Sequence, residues 1–342
     1  AWALPIWGTA LYLVAGLFYG IKPAVVAIVV FAAYRIGSRA LKNGVLWAIS
    51  AGAFLAIALF NIPFPLIILI AAILGLLGSR WLPGKFTIQN KAHTHAHGSG
   101  KAVIDDHTPT PAHAVFKLSK FVLLIGIALG IWAGALGLLV LQYGLDSVLV
   151  KMGWFFTKAA LLTFGGAYAV LPYVYQGAVQ AYGWLTPVQM IDGLALGETT
   201  PGPLIMVVAF VGFVGGWSQA IFGSEQLLLA GVVAACVTTF FTFLPSFLFI
   251  FIGGPLVEST QGDLRFTAPL TAITAAVVGV ILNLAVFFAY HVFWPNGISA
   301  AFDPVSIAAA VISALLLFRW KLGIVPLILL SGLFGLAYRV LL

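Results

Sequence analysis

Charge is what this sequence has least of. Aspartate, glutamate, lysine and arginine make up 7% of the 342 residues, against 62% hydrophobic ones, and the mean hydropathy is +1.13. A water-soluble domain needs several times that charge to cover its surface, so the composition excludes one and leaves a polytopic membrane protein. Cysteine is nearly absent too. The single Cys236 lies in an apolar run without an intrachain partner, so helix packing rather than a disulfide must hold the fold. The chain has no GxxxxGK[ST] loop, no HExxH and no GxSxG, and no histidine stands near the cysteine in sequence. Those absences argue against ATP hydrolysis and against the common nucleophilic and zinc-dependent chemistries. The expectation is a protein that is not an enzyme and has no cofactor. A net charge of +7 would suggest nucleic acid in a soluble protein, but here the basic residues gather at the ends of apolar runs and in one linker, where they report topology. The opening AWALPIWGTA has neither an initiator methionine nor a basic n-region, and an N-terminal truncation is expected.

What the chain has in abundance is apolar runs. Crossing the hydrocarbon takes about 20 apolar residues in a helix, because an open strand would leave its backbone groups unpaired. The fold is therefore expected to be all-α, with spans near 2–20, 23–38, 45–60, 62–79, 119–142, 152–180, 187–217, 225–252, 267–293, 304–318 and 322–341. Trp47, Trp81, Trp184, Trp217, Trp294 and Trp320 fall near these ends, as an interfacial belt requires. The polar stretch 80–118, rich in His, Pro, Gly and Lys, reads as a linker between two membrane halves, 1–79 and 119–342. Counting crossings alternately puts Arg35, Arg39, Lys42, the basic residues of the linker, Arg265, Arg319 and Lys321 on one side, with Lys22, Lys151 and Arg339 on the other. The crowded side is expected to be cytoplasmic and the C-terminus external, as for a multi-pass protein of a plasma membrane such as the bacterial inner membrane.

Two stretches resemble each other: LWAISAGAFLAIALFNIPFPLIILIAAILGLL at 46–77 and SIAAAVISALLLFRWKLGIVPLILLSGLFGLA at 306–337. Each reads as two short helices joined by a tight tip. The first tip, Asn61 to Phe64, is uncharged, and the second carries Arg319 and Lys321, which puts the tips on opposite faces of the membrane. The expected architecture is two inverted-topology repeats with broken or re-entrant helices. Secondary transporters use such repeats to bind substrate near the midplane, where broken helices meet.

Two breaks are written into the apolar runs. GLALGETTPGPLIMVVAF places Pro201, Gly202 and Pro203 mid-span, where proline removes a backbone donor and interrupts the helix. A half-helix starting at Pro203 would turn its free N–H groups and positive dipole end toward the break, as an anion site requires. In KAALLTFGGAYAVLP the pair Gly165-Gly166 permits close backbone approach. If the breaks face each other, their N–H groups, with Thr163, Thr199 and Thr200, can replace the water around a tetrahedral oxyanion; packing kinks are the alternative. A charge at bilayer depth costs about 2.5 to 3.5 kcal/mol, so Glu198 and Lys158 need a reason to be there. The functional reading makes Glu198 a proton carrier and Lys158 an offset to anion charge. The structural reading pairs them with each other. Asp192, nearer the span start, is expected at the interface.

TFGGAYAVLPYVYQGAV, WLTPVQMIDGLALGETTPGPLI and YGIKPAVVAIVVFAAYRIGSRALKN resemble segments of the chromate ion transporter family, long two-domain type, and the similarity runs through most of the chain. The resemblance implies secondary active transport of chromate, generally outward, conferring chromate resistance, with sulfate as isosteric competitor. By that resemblance Phe164, Gly165, Gly166, Glu198, Thr200, Pro201, Gly202 and Pro203 are carried over as site residues. The early signature of the first half has no counterpart in this sequence. The partners to expect are chromate, possible sulfate, a proton or other coupling ion, the lipid bilayer and a second copy in a homodimer. Arg35 and Arg39, four apart at one span end, either draw a dianion toward the pathway or snorkel to headgroups. Asn283 either donates to substrate or bonds between helices. His93, His95 and His97, with His107 and His113, keep open a metal-cation exporter with the linker as antenna; a sulfate or other anion permease is the nearer alternative.

Overall fold

The computed structural model describes residues 3–86, 118–163, 167–198, 203–260, 264–297, 299 and 301–341, and every regular element among them is helical. In chain order these are α1 (Ala3–Ala40), α2 (Gly44–Phe60), α3 (Phe64–Trp81), the short α4 (Pro83–Phe86), α5 (Leu118–Tyr143), α6 (Val148–Leu161), α7 (Ala167–Tyr175) continuing into a π-helical turn (Gln176–Ala181), α8 (Pro187–Glu198), α9 (Pro203–Ser218), α10 (Leu227–Thr260), α11 (Leu264–Phe293), α12 (Pro304–Phe318) and α13 (Ile324–Leu341), with a 3₁₀ turn at Ser224–Gln226. Among the described residues six stretches are long and apolar enough to cross a bilayer: Tyr12–Ala40, Phe64–Trp81, Leu118–Tyr143, Ser224–Phe251, Thr267–Phe293 and Ile324–Leu341. This is an all-helical, multi-pass membrane protein. Its exposed surface is dense with leucine, isoleucine, valine and phenylalanine, the face a lipid solvent demands.

Helices in lipid gain little from burying more hydrocarbon, so their contacts depend on close approach at small residues. Along α1 and α13, Gly16 and Gly20 sit against Leu336, Ser331 and the backbone of Gly335 so closely that a Cβ at Gly20 or Gly335 would strike the other backbone. The seam is finished by the Tyr12 hydroxyl donating to the Arg339 carbonyl and by Tyr19 stacked on Tyr338 at 5.5 Å. A matching seam joins α11 to the other hairpin: a Cβ at Gly279 would strike the Ser50 carbonyl of α2, and one at Gly75 of α3 would lie 2.6 Å from Pro269 Cα. The long helix that precedes each hairpin thus packs against the hairpin of the other half.

The hairpins α2–α3 and α12–α13 share their punctuation. Asn43 caps α2 by accepting from the N–H groups of Val45 and Leu46, and Asp303 caps α12 through Val305 and Ser306. Each first limb ends in a left-handed residue, Asn61 at φ 49° and Lys321 at φ 53°. The next N–H then reaches back to close the end, Ile62 to the Ala56 carbonyl at 3.2 Å and Leu322 to the Leu316 carbonyl at 3.0 Å.

Several sequence expectations are corrected. Spans 2–20 and 23–38 are one helix, α1, with Pro23 inside it, so Lys22 lies within a span and not in a loop. Span 152–180 is two limbs, α6 and α7, that fold back on each other. Phe155 of α6 stacks on Tyr173 of α7 at 4.7 Å, and Gly177 is bare where a Cβ would enter the Phe155 ring. Span 187–217 is likewise a returning pair, since a Cβ at Gly193 of α8 would strike the Phe210 ring of α9. Its limbs of 12 and 16 residues are about 18 and 24 Å long, short of the ~30 Å hydrocarbon core. Trp184 is not in an interfacial belt: it is 3% exposed, lies 5.6 Å from Phe155, and meets Gly215 near the end of α9. The segment joining the two returning pairs therefore lies beside the second limb's end of the α8–α9 pair, not across the bundle.

Arg35, Arg39, Lys42, Arg80, Lys85, Arg319 and Lys321 collect at one end of the bundle. Phe318 packs edge-on against Phe31 and Tyr34 at 5.1 and 5.2 Å, and Asn43 Nδ2 donates to the Lys85 carbonyl at 2.7 Å. Arg339 is at the other end, over the Tyr12 ring.

Candidate functional site

Described residues flanking the two breaks come close together at Tyr168 and Glu198. The α6–α7 tip is 162–166 and the α8–α9 tip is 199–202; Phe164, Gly165, Gly166, Thr199, Thr200, Pro201 and Gly202 lie outside the described residues. On either side of those gaps, Tyr168 in the first turn of α7 and Glu198, the last residue of α8, lie within electrostatic reach of each other. Glu198 is 7% exposed.

Geometry decides what the tips offer. Each second limb begins just past its break, α7 at Ala167 and α9 at Pro203, and a helix start carries unpaired N–H groups and the positive end of the dipole. Pro203 at the first position of α9 sacrifices no useful donor. Arg35, near the end of α1, lies within electrostatic reach of the Tyr168 hydroxyl and adds a positive charge on the exposed side of the junction. A guanidinium, a phenol and a buried carboxyl thus lie within electrostatic reach of one another at the start of α7.

The other sequence candidates separate. Thr163 closes the end of α6 by donating to its own Ala159 carbonyl at 2.7 Å. Lys158 lies over the Trp154 ring at 5.8 Å and forms no ion pair with Glu198, so the alternative structural pairing of the two is absent: Trp154 shares a face of α6 with Lys158, whereas Glu198 lies toward α7. Asp192 meets Lys22 of α1 at 3.2 Å, the two side chains 22% and 26% exposed. Arg39 is exposed at the basic end of α1. His93, His95, His97, His107 and His113 lie outside the described residues, and among those described no cluster of three metal-ligating side chains exists.

Asn283 stands apart from the tips, in a cavity of about 290 Å³ lined also by Asn61, Pro172, Tyr175, Gln176 and Gln180. Gln176, at the start of the π-helical turn, clamps the α2–α3 tip there: its Oε1 accepts from the Phe64 N–H at 2.9 Å and its Nε2 donates to the Ile62 carbonyl at 3.4 Å. Tyr168, Gln176 and the Lys22–Asp192 pair were missed by sequence reasoning. A hydroxyl two residues beyond the glycine pair was the signal available for Tyr168.

A family model described as Chromate transporter matches residues 2–76 and 150–336. The stretch between the matched segments holds the linker and α5, a helix with no buried residue. A "Chromate transport protein" of Pseudomonas aeruginosa is 30% identical over 334 residues, 96% of this chain and 67% of that protein. One of Cupriavidus metallidurans is 28% identical over 329 residues, 95% of this chain and 67% of its own length. An uncharacterized transporter of Methanocaldococcus jannaschii is 28% identical over 152 residues, covering 44% of this chain and 34% of that protein. No solved structure matches the chain.

Proposed function

The chain belongs to the chromate transporter family, and on that premise we propose that it carries a tetrahedral oxyanion, chromate before sulfate, across a plasma membrane as a secondary active transporter. What supports this reading is the nearness of Tyr168, at the start of α7, to Glu198, five residues before α9 begins. A dianion stripped of water needs many weak donors around it more than one strong counter-charge, and oriented backbone N–H groups supply them at no reorganisation cost. In this reading the undescribed tips, with Gly165, Gly166, Thr199, Thr200 and Gly202, complete the donor shell. Arg35 raises anion concentration at the basic end, which the excess of lysine and arginine assigns to the cytoplasm. The matched caps and turns of α2–α3 and α12–α13, with α1 and α11 crossing to the opposite hairpins, support an inverted repeat built around this site. The amide-lined cavity at Asn283 and Gln176 lies farther along α7 and fits a second station on the route. Energy comes from an ion gradient.

The test is chromate counterflow in proteoliposomes containing the purified chain. Expected are uptake competed by sulfate and a chromate KM raised roughly tenfold or more in Tyr168→Phe and Arg35→Gln, on the scale of about 1.5 to 3 kcal/mol for hydrogen bonds to charged groups. No counterflow with either anion from folded protein would refute the proposal.

A further inference from the structure

α8 carries two carboxylates, and the anion site as proposed uses one of them. Glu198 lies beside Tyr168 at the end of the helix. Asp192, about two turns earlier, has no part in that junction: its Oδ1 faces the Lys22 ammonium of α1 at 3.2 Å and, apart from that ammonium, has no hydrogen-bond partner. The other elements packed on α8 bring no competing charge to Asp192. α9 has no titratable side chain. On α11, the His291 ring pairs with the Phe287 carbonyl of its own helix, Tyr290 stacks near Trp294, and Arg265 stands at the opposite end of the helix. On α13, Tyr338 stacks on Tyr19 and Arg339 lies over Tyr12. On α1, Arg35 is at the tip level and Lys22 is the charge that acts on Asp192.

An interior ion pair is poor mortar, because apolar side chains of the same volume hold helices together as well or better. What a pair offers is a change of charge state. This one joins α8, the first limb of a returning pair that ends in the anion site, to α1, which is locked into the glycine seam with α13. We propose that Asp192 is the site of the coupling proton and Lys22 its counter-charge, a role that rests on reading the hairpin tips as an anion site. With Asp192 ionised, the pair is neutral and α8 is tied to α1. A proton from water on the loading side binds the carboxylate, the attraction to Nζ is lost, and one net positive charge is left beside the hairpin. A dianion at the tips offsets that charge, so proton and anion bind together and move in the same direction. The proton returns to water on the far side as the ion pair re-forms. The proton role read from sequence for Glu198 passes to Asp192.

The experiment uses the full chain in proteoliposomes of phosphatidylethanolamine and phosphatidylglycerol with the membrane potential clamped. Chromate flux is measured with and without a pH gradient, acid on the chromate side, and the readout is the ratio of the two. A several-fold ratio is expected for the wild type and for Glu198→Gln whatever their absolute rates, and a ratio of one for Asp192→Asn and for Lys22→Gln/Asp192→Asn, the second variant guarding against a lone unpaired lysine unfolding the first. A wild-type ratio of one, or a several-fold ratio in Asp192→Asn or in the double variant, overturns the assignment. If the wild type moves neither chromate nor sulfate, the transport reading fails by itself, and pH-difference infrared spectra decide the proton site. A carboxyl band lost in Asp192→Asn supports it, and an unchanged band overturns it.

Discussion

Gly177→Ala should be among the most damaging single-methyl additions in this protein. Gly177 lies in the π-helical turn after α7, and a Cβ there would enter the ring of Phe155 on α6. Whether one methyl matters depends on whether the ring can give way, and here it cannot. Phe155 is stacked on Tyr173 at 4.7 Å and held edge-on by Phe156 at 5.1 Å, Tyr182 at 5.8 Å and Trp184 at 5.6 Å. Overpacking costs about 1 to 3 kcal/mol, and a ring fixed by four neighbours puts this site at the upper end, roughly 3 kcal/mol. The same substitution at Gly52 of α2, where nothing lies within 4 Å of an added Cβ, should stabilise by about 0.5 to 1 kcal/mol through helix propensity. The two variants therefore differ in sign. Thermal unfolding of detergent-purified protein, followed by size-exclusion recovery, should place Gly177→Ala below wild type and Gly52→Ala at or above it, with Gly177→Ala/Phe155→Leu recovering part of the loss. Equal melting of Gly177→Ala and Gly52→Ala would show that α6 and α7 do not return on each other as described.

Three further outcomes follow from other contacts. Lys22→Met leaves Asp192 uncompensated in the interior and should cost about 3 to 5 kcal/mol, most of it regained in Lys22→Met/Asp192→Leu, as a double-mutant cycle of melting temperatures reads directly. Gln176→Ala orphans the Phe64 N–H and releases the Ile62 carbonyl, so the α2–α3 tip should lose about 1 to 3 kcal/mol of protection, measurable as faster backbone hydrogen exchange at 62–66. Asp303 is pushed up by burial, but hydrogen bonds from Ser306, Tyr19 and Val305 outweigh that and hold its carboxyl below the ordinary 3.8. Its capping contribution, about 1 kcal/mol by Asp303→Ala, should be complete above pH 4 and disappear as pH falls through the lowered value; a capping loss equal at acid and neutral pH would contradict it.

The helices, the two breaks and the paired outer hairpins were legible because each rests on local chemistry: apolar runs, Pro201-Gly202-Pro203, Gly165-Gly166, and tips at Asn61 and Lys321. What was not legible depends on partners distant in sequence. Lys22 beside Pro23 reads as a loop until Asp192 supplies the opposite charge and the glycine seam with α13 supplies the packing that keeps α1 whole. A broken span and a returning pair have the same sequence signature; only the bare Gly177 beneath Phe155 and Gly193 beneath Phe210 separate them. Trp184 looked interfacial because it falls between two proposed spans, 152–180 and 187–217, whereas its ring is buried on Phe155. A pairing of Lys158 with Glu198 stayed open as an alternative because both are costly in lipid, yet each has a different neighbour, Trp154 and Tyr168.

The α1–α13 seam constrains how the chain can be made. Tyr12 and Arg339 are 327 positions apart, and synthesis proceeds from the first to the second at roughly 5 to 20 residues per second. For roughly 15 to 65 seconds, nascent α1 therefore sits in the bilayer or beside the insertion machinery with bare glycines against lipid. During about half of that interval Lys22 carries a charge that Asp192 has not yet been translated to neutralise. Maturation then ends in a late zippering step, and degradation enzymes that patrol the membrane for unaccompanied helices meet their most vulnerable target before that step.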